Sequence, residues 1–234
     1  MLADHTAIIL FPHMLFLRYI GRLALPIFAF MVAEGVLHTR SKGKYFLRVF
    51  ILAVICQVAY TVFDLVGGTF TGIYLNTLFT LSFGILICYA WLAAVNDRKK
   101  VWLLILAAVL AAAVYVFCSF PVKENGLYTT FAIKLCGFPI AYDYDFMGAM
   151  LPLTAMILTK KPWRFVIFGV GLVLLSLSMM HTLPYQWFCL VALVPLWFYN
   201  GERGKRNLKY LFYIFYPLHL VVLEGIAMLK GGML

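Results

Sequence analysis

The sequence has few charged residues, and this shortage decides the class of protein. Only 12% of its 234 residues are Asp, Glu, Lys or Arg, whereas 65% are apolar. Soluble globular domains carry charge on roughly a quarter of their residues. No polar stretch is long enough to form a separate soluble domain, so the composition predicts a single integral membrane domain over residues 1–234.

The sequence also lacks the compact motifs of familiar enzyme classes. It contains no GxSxG, Walker A, HExxH or CxxC pattern, which argues against the sites that those motifs define. Its cysteines stand mostly inside apolar stretches, where cysteine behaves as a small buried hydrophobe. They are scattered along the chain, at Cys56, Cys88, Cys118, Cys136 and Cys189. We therefore expect neither disulfides nor a metal site.

Long apolar runs make up most of the chain. A helix needs about 20 apolar residues to cross a bilayer, and its backbone polar groups must be satisfied within the segment because lipid offers no partners. The sequence therefore predicts an all-α polytopic bundle of about nine transmembrane segments. These are 2–17, 19–37, 45–63, 74–95, 101–118, 144–159, 164–181, 186–199 and 207–228.

The net charge of +10 would suit a nucleic-acid-binding protein, but the positions of the charges argue against one. Basic residues are concentrated in alternate connections between apolar runs, as the positive-inside rule predicts for a membrane protein. We predict that these connections and the N-terminus face the cytoplasm and that 119–143 lies outside. The protein would then be a multi-pass protein of the inner membrane, with lipids around it. The basic connections are 38–48, 96–100, 160–164 and 201–209.

Ionisable side chains inside the apolar segments mark a candidate site. Asp4 and His5 stand in the first segment, and Arg22 and Glu34 stand near the two ends of the second. Such groups are costly in hydrocarbon and usually face a bundle interior, where they pair or function. Successive helical residues point about 100° apart. Asp4 is therefore poorly placed to orient His5, and one of the two must meet another helix.

Further polar residues accompany this set. Arg18 and Arg22 are four residues apart, as are Asn76 and Thr80, so each pair shares a helix face. Asn76 and Thr80 fit hydrogen bonds between helices. His219 places a second imidazole at membrane depth, for which function and structure are equally good explanations. Histidines and acids inside a bundle fit general acid–base chemistry.

At these positions the chain resembles the TraX family of F-pilin acetylation proteins, which is similar in turn to wider membrane acyltransferases. The likeness runs in order through nearly the whole chain and is most specific over residues 18–48. Its motifs are Asp4-His5, Arg18-xx-Gly21-Arg22-xxx-Pro26-Ile27-Phe28, Glu34-Gly35-xx-His38-Thr39-Arg40, Lys44-Tyr45-xx-Arg48, Asn76-xx-Phe79-Thr80-Leu81, Asp143-Tyr144-xxx-Gly148 and Phe215-Tyr216-Pro217-Leu218-His219.

The resemblance implies a membrane-bound acyltransferase with acetyl-CoA as the acyl donor. His5 would be the general base, and Asp4 or Glu34 would orient it. Arg22 would stabilise the charge that develops on the reacting carbonyl. The acceptor would be an amine of a peptide or a hydroxyl of a glycan. The residues assigned to binding of the donor coenzyme are Arg18, Asn76 and His219.

Two other classes of protein stay open from the residues. A transporter or channel could use the same buried charges to line an ion or proton pathway. Similar hydropathy in the two halves of the chain would favour that class, and the sequence shows none. A noncatalytic membrane scaffold is the other alternative, although it needs no charges inside its helices. A bound coenzyme or acetyl transfer in membranes would separate the three classes.

The family pattern has a further half-helix, with a basic residue, ahead of the Asp-His pair. Here Met1 stands three residues before Asp4, and only about ten apolar residues precede Pro12. That is roughly 15 Å of helix against a hydrocarbon core of about 30 Å. We therefore expect Met1 to be an internal methionine of a longer natural chain. An in-frame stop codon just upstream in the genomic DNA would contradict this.

Overall fold

A computed structural model describes residues 1–66, 74–106, 109–110, 121–124, 127–130, 141–142, 144–180, 183–202 and 209–231. Asp143 and the basic residues within 203–208 lie outside these ranges. The helices are α1 (Leu2–Ile9), α2 (Leu15–Gly21), α3 (Ala24–His38), α4 (Lys42–Leu65), α5 (Thr77–Asn96), α6 (Asp145–Thr154), α7 (Lys161–Ser178), α8 (Leu193–Trp197) and α9 (Lys209–Gly231). Residues 101–106 and 109–110 are also helical.

Short elements lie in the connections. Two 3₁₀ segments are formed by Arg98–Lys100 and Pro184–Ala192. Strand β1 (Tyr74–Leu75) pairs in parallel with β4 (Ala141–Tyr142), and β2 (Pro121–Glu124) pairs antiparallel with β3 (Leu127–Thr130). These strands tie connections together, while the bundle itself is helical as predicted.

Within the described residues, five helical stretches are long and apolar enough to cross a membrane. They coincide with the predicted segments 19–37, 45–63, 74–95, 164–181 and 207–228, so the prediction of a polytopic helical bundle is supported. The total of nine spans is not confirmed. The five stretches are Leu15–His38, Lys42–Phe63, Thr77–Asn96, Lys161–Ser178 and Tyr213–Lys230.

Two other predicted segments form shorter helical pieces. The segment 144–159 contains only α6, ten residues with Pro152 inside. The segment 186–199 is divided between the 3₁₀ segment Pro184–Ala192 and α8. Neither piece has the 20 or so α-helical residues that a full crossing needs. The segment 101–118 is described only in part.

The first predicted segment, 2–17, is not one helix. Helix α1 ends at Ile9 and α2 begins at Leu15, with Pro12 between them. Proline lacks the amide hydrogen that an α-helix needs and clashes with the preceding turn. The chain therefore turns here, and α1 packs against α2 and α9 instead of continuing into α2.

The core fixes the direction of α3. Phe30, in the middle of this helix, is almost fully buried and meets the rings of Phe165, Phe168 and Tyr199 at centroid distances of 5.8–5.9 Å. Aromatic pairs at this spacing bury a large apolar area and favour tilted or edge-on geometries. Helix α3 is thereby held inside the bundle, with Arg22 just before its first residue and Glu34 near its C-terminal end. The described cysteines Cys56, Cys88 and Cys189 are buried and free.

Candidate functional site

Helix α1 brings Asp4 against two arginines at the end of α2. Asp4 Oδ2 accepts a hydrogen bond from Arg22 Nη2 at 2.5 Å, and Asp4 Oδ1 lies 3.0 Å from Arg18 Nη1. The side chains of Asp4 and Arg22 are 11% and 4% exposed. A carboxylate between two guanidiniums satisfies charges that would otherwise be costly in an apolar bundle. The i, i+4 spacing of the arginines, noted in the sequence, is what lets both reach one carboxylate.

Gly21 makes this approach possible. A Cβ at this position would lie 2.8 Å from both the Cγ and the Oδ1 of Asp4, closer than real Cβ contacts come. Only glycine therefore lets α1 lie so close to α2. The residue belongs to the motif shared with the family, and the structure gives it a physical reason.

The two arginines have further partners that the sequence did not identify. Arg18 Nη2 donates to the Tyr185 hydroxyl at 2.8 Å, and Arg22 Nη1 donates to Gln186 Oε1 at 3.3 Å. Both guanidinium groups also lie over the Tyr185 ring, at 5.3 and 5.6 Å from its centroid. Gln186 is fully buried. An amide within an apolar stretch was the one signal that could have drawn attention to it.

The Nδ1 atom of His5 meets His219 and not an acid. His5 Nδ1 lies 2.8 Å from His219 Nε2, and the two ring planes are parallel to within 2°. His219 Nδ1 lies 3.0 Å from the carbonyl oxygen of Phe215. The expectation that Asp4 or Glu34 orients His5 is thus corrected: the orienting group is an imidazole from α9. Asp4 holds the arginines instead.

The proton positions in this pair follow from the Phe215 carbonyl. A carbonyl can only accept, so His219 Nδ1 must carry the hydrogen. In a neutral His219, Nε2 then holds a lone pair and accepts from His5 Nδ1. In a neutral His5 the remaining lone pair is therefore on Nε2. The backbone of α9 thus selects the tautomer of His5 through one intervening ring.

Glu34 lies at the other end of α3. Twelve residues separate it from Arg22, which is roughly 18 Å of helix. Its Oε1 accepts from Arg164 Nη2 at 2.5 Å, and the Arg164 guanidinium also lies over the Phe30 ring, 4.3 Å from its centroid. Glu34 belongs to a second polar cluster, apart from His5.

Asn76 joins helices α4 and α5. Its Oδ1 accepts from the Leu78 amide at 3.0 Å and caps α5, while its Nδ2 donates to the Ala53 carbonyl at 2.9 Å and to Gln57 Oε1 at 3.1 Å. This is the interhelical hydrogen bonding that its helix face predicted. Binding of the donor by Asn76 stays a prediction; in the structure the side-chain amide of Asn76 is hydrogen-bonded within this junction.

An apolar cavity of about 380 Å³ adjoins the histidine pair. Phe215 and Tyr216, which line it, also contact the His219 ring, at centroid distances of 5.4 and 5.8 Å. The opposite wall includes Val32 of α3 and Val49 of α4. The cavity thus leads from the pair along α9 toward the start of that helix.

The bundle and this buried set of residues define a polytopic helical membrane protein with an internal histidine pair beside a carboxylate–arginine cluster. The chain belongs to the TraX protein family, which it matches over residues 1–227. The resemblance to this family, read from the sequence, is confirmed.

A relative of the chain is found in Dichelobacter nodosus. The chain is 30% identical over 216 residues to its "Probable fimbrial assembly protein FimC, serogroup H1", with 88% of this chain and 81% of that protein covered. No solved structure matches the chain.

Proposed function

We propose that the protein is a membrane-bound acyltransferase that moves an acetyl group from acetyl-CoA to an amine or hydroxyl. The observation that carries this proposal is the His5–His219 pair, because its hydrogen bonds leave the basic lone pair of His5 on Nε2. A neutral imidazole with a fixed tautomer is suited to accept a proton from an attacking nucleophile.

The reaction would proceed by addition and elimination at the thioester. The acceptor nitrogen or oxygen attacks the acetyl carbon while His5 Nε2 takes its proton. The carbonyl oxygen becomes an oxyanion, and its collapse breaks the carbon–sulfur bond. The proton then passes from His5 to the coenzyme sulfur, so that the base is restored. General base catalysis of this kind contributes about 10²–10⁴ in rate.

Arg22 is our candidate for stabilising the oxyanion. Pre-placed donors aimed at a developing charge give a large part of such a rate enhancement. Asp4, Gln186 and Tyr185 hold the guanidinium groups of Arg18 and Arg22 in place, so Asp4 acts on the arginines and not on His5. In this proposal Arg18 supports the same cluster, and His219 positions the base instead of binding the coenzyme.

The donor would approach through the cavity beside His219. On α9 this cavity is lined from Tyr213 onward, a few residues after the connection 201–209, for which the charge distribution predicts a cytoplasmic position. A coenzyme made in the cytoplasm would enter from that face, which favours the inner membrane. The relative's name refers to fimbrial assembly, so a peptide amine of a surface filament is the first acceptor to test, with glycan hydroxyls second.

The test is transfer of isotope-labelled acetyl from acetyl-CoA in membranes, followed by mass spectrometry of peptides and glycans. Membranes with the wild-type protein should gain label, and His5→Ala should reduce the gain at least about 100-fold. His13→Ala is the matched control, because His13 is an exposed histidine in the turn after α1. Equal labelling with wild-type and His5→Ala protein, at equal expression, would exclude His5 as the base.

A further inference from the structure

A second apolar cavity, of about 520 Å³, lies between α5 and the helical residues that follow the Arg98–Lys100 turn. Its walls are formed by side chains such as Phe83, Ile87 and Ala90 of α5, together with Leu103 and Leu106. It shares no lining residue with the cavity beside His219. Nothing in the proposed acyl transfer uses it.

The cavity is apolar along the helix and basic at one end. Its lining on α5 runs from Ala93 to Phe83, which is roughly 15 Å of helix within the candidate span Thr77–Asn96. Lys42, at the start of α4, lines the cavity as its charged residue. The slot therefore extends into the bilayer from an end that carries a cation.

Lys42 is held at this end by Tyr89. The Lys42 ammonium lies 5.6 Å from the centroid of the Tyr89 ring, and the Tyr89 hydroxyl donates to the Lys42 carbonyl at 2.9 Å. The turn Arg98–Lys100 adds three basic residues between α5 and Leu103. The acid beside them, Asp97, lies 3.7 Å from Lys100 and offsets one of these charges. The net charge at this end of the cavity is therefore positive.

We propose that this slot binds an anionic phospholipid, with an acyl chain along α5 and the phosphate near Lys42. The apolar walls give an alkyl chain favourable apolar contacts. They give a polar ligand few hydrogen-bond partners, and burial without hydrogen bonds is costly for such a ligand. Basic groups near the membrane surface attract anionic headgroups by about 1 kcal/mol each. The apolar length of the slot thus fits an acyl chain, and its basic end fits the phosphate of the same lipid.

The experiment measures thermal unfolding of the delipidated full chain in detergent as lipid is added back. Phosphatidylglycerol should raise the unfolding midpoint more than phosphatidylcholine does, and free phosphate should not raise it. Lys42→Gln should remove most of the difference between the two lipids. Lys44→Gln is the control, because Lys44 is an exposed lysine two residues away that does not line the slot.

A second pair of variants tests the apolar part. Ala93→Phe should fill the slot and lower the number of phosphatidylglycerol molecules retained in native mass spectrometry. Val95→Phe, on the exposed face of α5, should leave retention unchanged. Equal effects of the two lipids, or equal losses in Lys42→Gln and Lys44→Gln, would overturn the proposal. So would a change of oligomeric state in Ala93→Phe without loss of lipid, since the slot would then bind another copy of the chain.

Discussion

Single residues decide how His5 can act. A carboxylate beside an imidazole stabilises the protonated ring, as in many catalytic triads. His219 is a second imidazole and supplies orientation without a negative charge. His5 is therefore fixed in its tautomer but receives no full counter-charge from His219.

Replacing His219 by Asp adds that charge. The carboxylate accepts from His5 Nδ1 and stabilises the imidazolium, so the acid limb of the pH–rate profile should move to higher pH. His219→Phe should lower kcat without raising the KM for acetyl-CoA, because orientation is lost and the donor site remains. The measurement is steady-state kinetics across neutral pH. A raised KM with unchanged kcat would instead identify His219 as a coenzyme ligand.

Gly21 gives a test of the contact between α1 and α2. Gly21→Ala places a methyl group on the Asp4 side chain and should destabilise the protein by about 1–3 kcal/mol, the usual cost of overpacking. Gly43→Ala is the matched control, because a Cβ there meets nothing within 4 Å. Thermal unfolding in detergent reports both. If the two variants unfold at the same temperature, the close approach of Asp4 to Gly21 is wrong.

The polar residues of the site could be named from the sequence, but their partners could not. Asp4, Arg22, Glu34 and His219 are all buried, as their positions in apolar segments predicted. His5 and His219 are 214 residues apart, and no helical periodicity relates positions on different helices. Pairing across the bundle depends on how helices pack, which one sequence does not reveal.

At the scale of elements, α3 separates two polar clusters, one around Arg22 and one around Glu34. Its N-terminal end lies beside Arg22 and its C-terminal end holds Glu34 against Arg164. The five candidate spans among the described residues were predictable because long apolar runs identify them. The division of the first segment depended on Pro12, which is visible in the sequence. It also depended on the turn around that proline, which the sequence does not reveal.

Glu34→Gln should destabilise the protein and spare the chemistry. Removing one member of a buried ion pair costs roughly 3–5 kcal/mol, and the lower end is expected here because Arg164 Nε also donates to the Ala155 carbonyl. Glu202→Gln is the control, at an exposed acid. Unfolding and transfer per folded molecule are measured together. If Glu34→Gln left stability unchanged but abolished transfer, Glu34 would have to be a catalytic residue.

At the scale of the whole molecule, orientation in the membrane is open to a direct test. In a cysteine-free background, a cysteine at Gly43 should resist an impermeant thiol reagent in intact cells, and one at Lys123 should react. The reason is the excess of Lys and Arg in 38–48, 96–100 and 160–164. Rapid labelling at position 43 would show that the predicted orientation is wrong. The proposed entry of the coenzyme from the cytoplasmic face would then be wrong as well.

The pairing of His5 with His219 also requires a delay during synthesis, because the two histidines are made at different times. Ribosomes add about 5–20 residues per second, so roughly 10–40 s separate the two histidines at the exit tunnel. During that interval His5 has no imidazole to fix its tautomer, and α1 lacks its contact with α9. In the proposed reaction, a chain stopped before α9 would carry His5 and both arginines but would lack the imidazole that orients His5. If acyl transfer is the function, we therefore expect it to begin only after α9 has inserted beside α1.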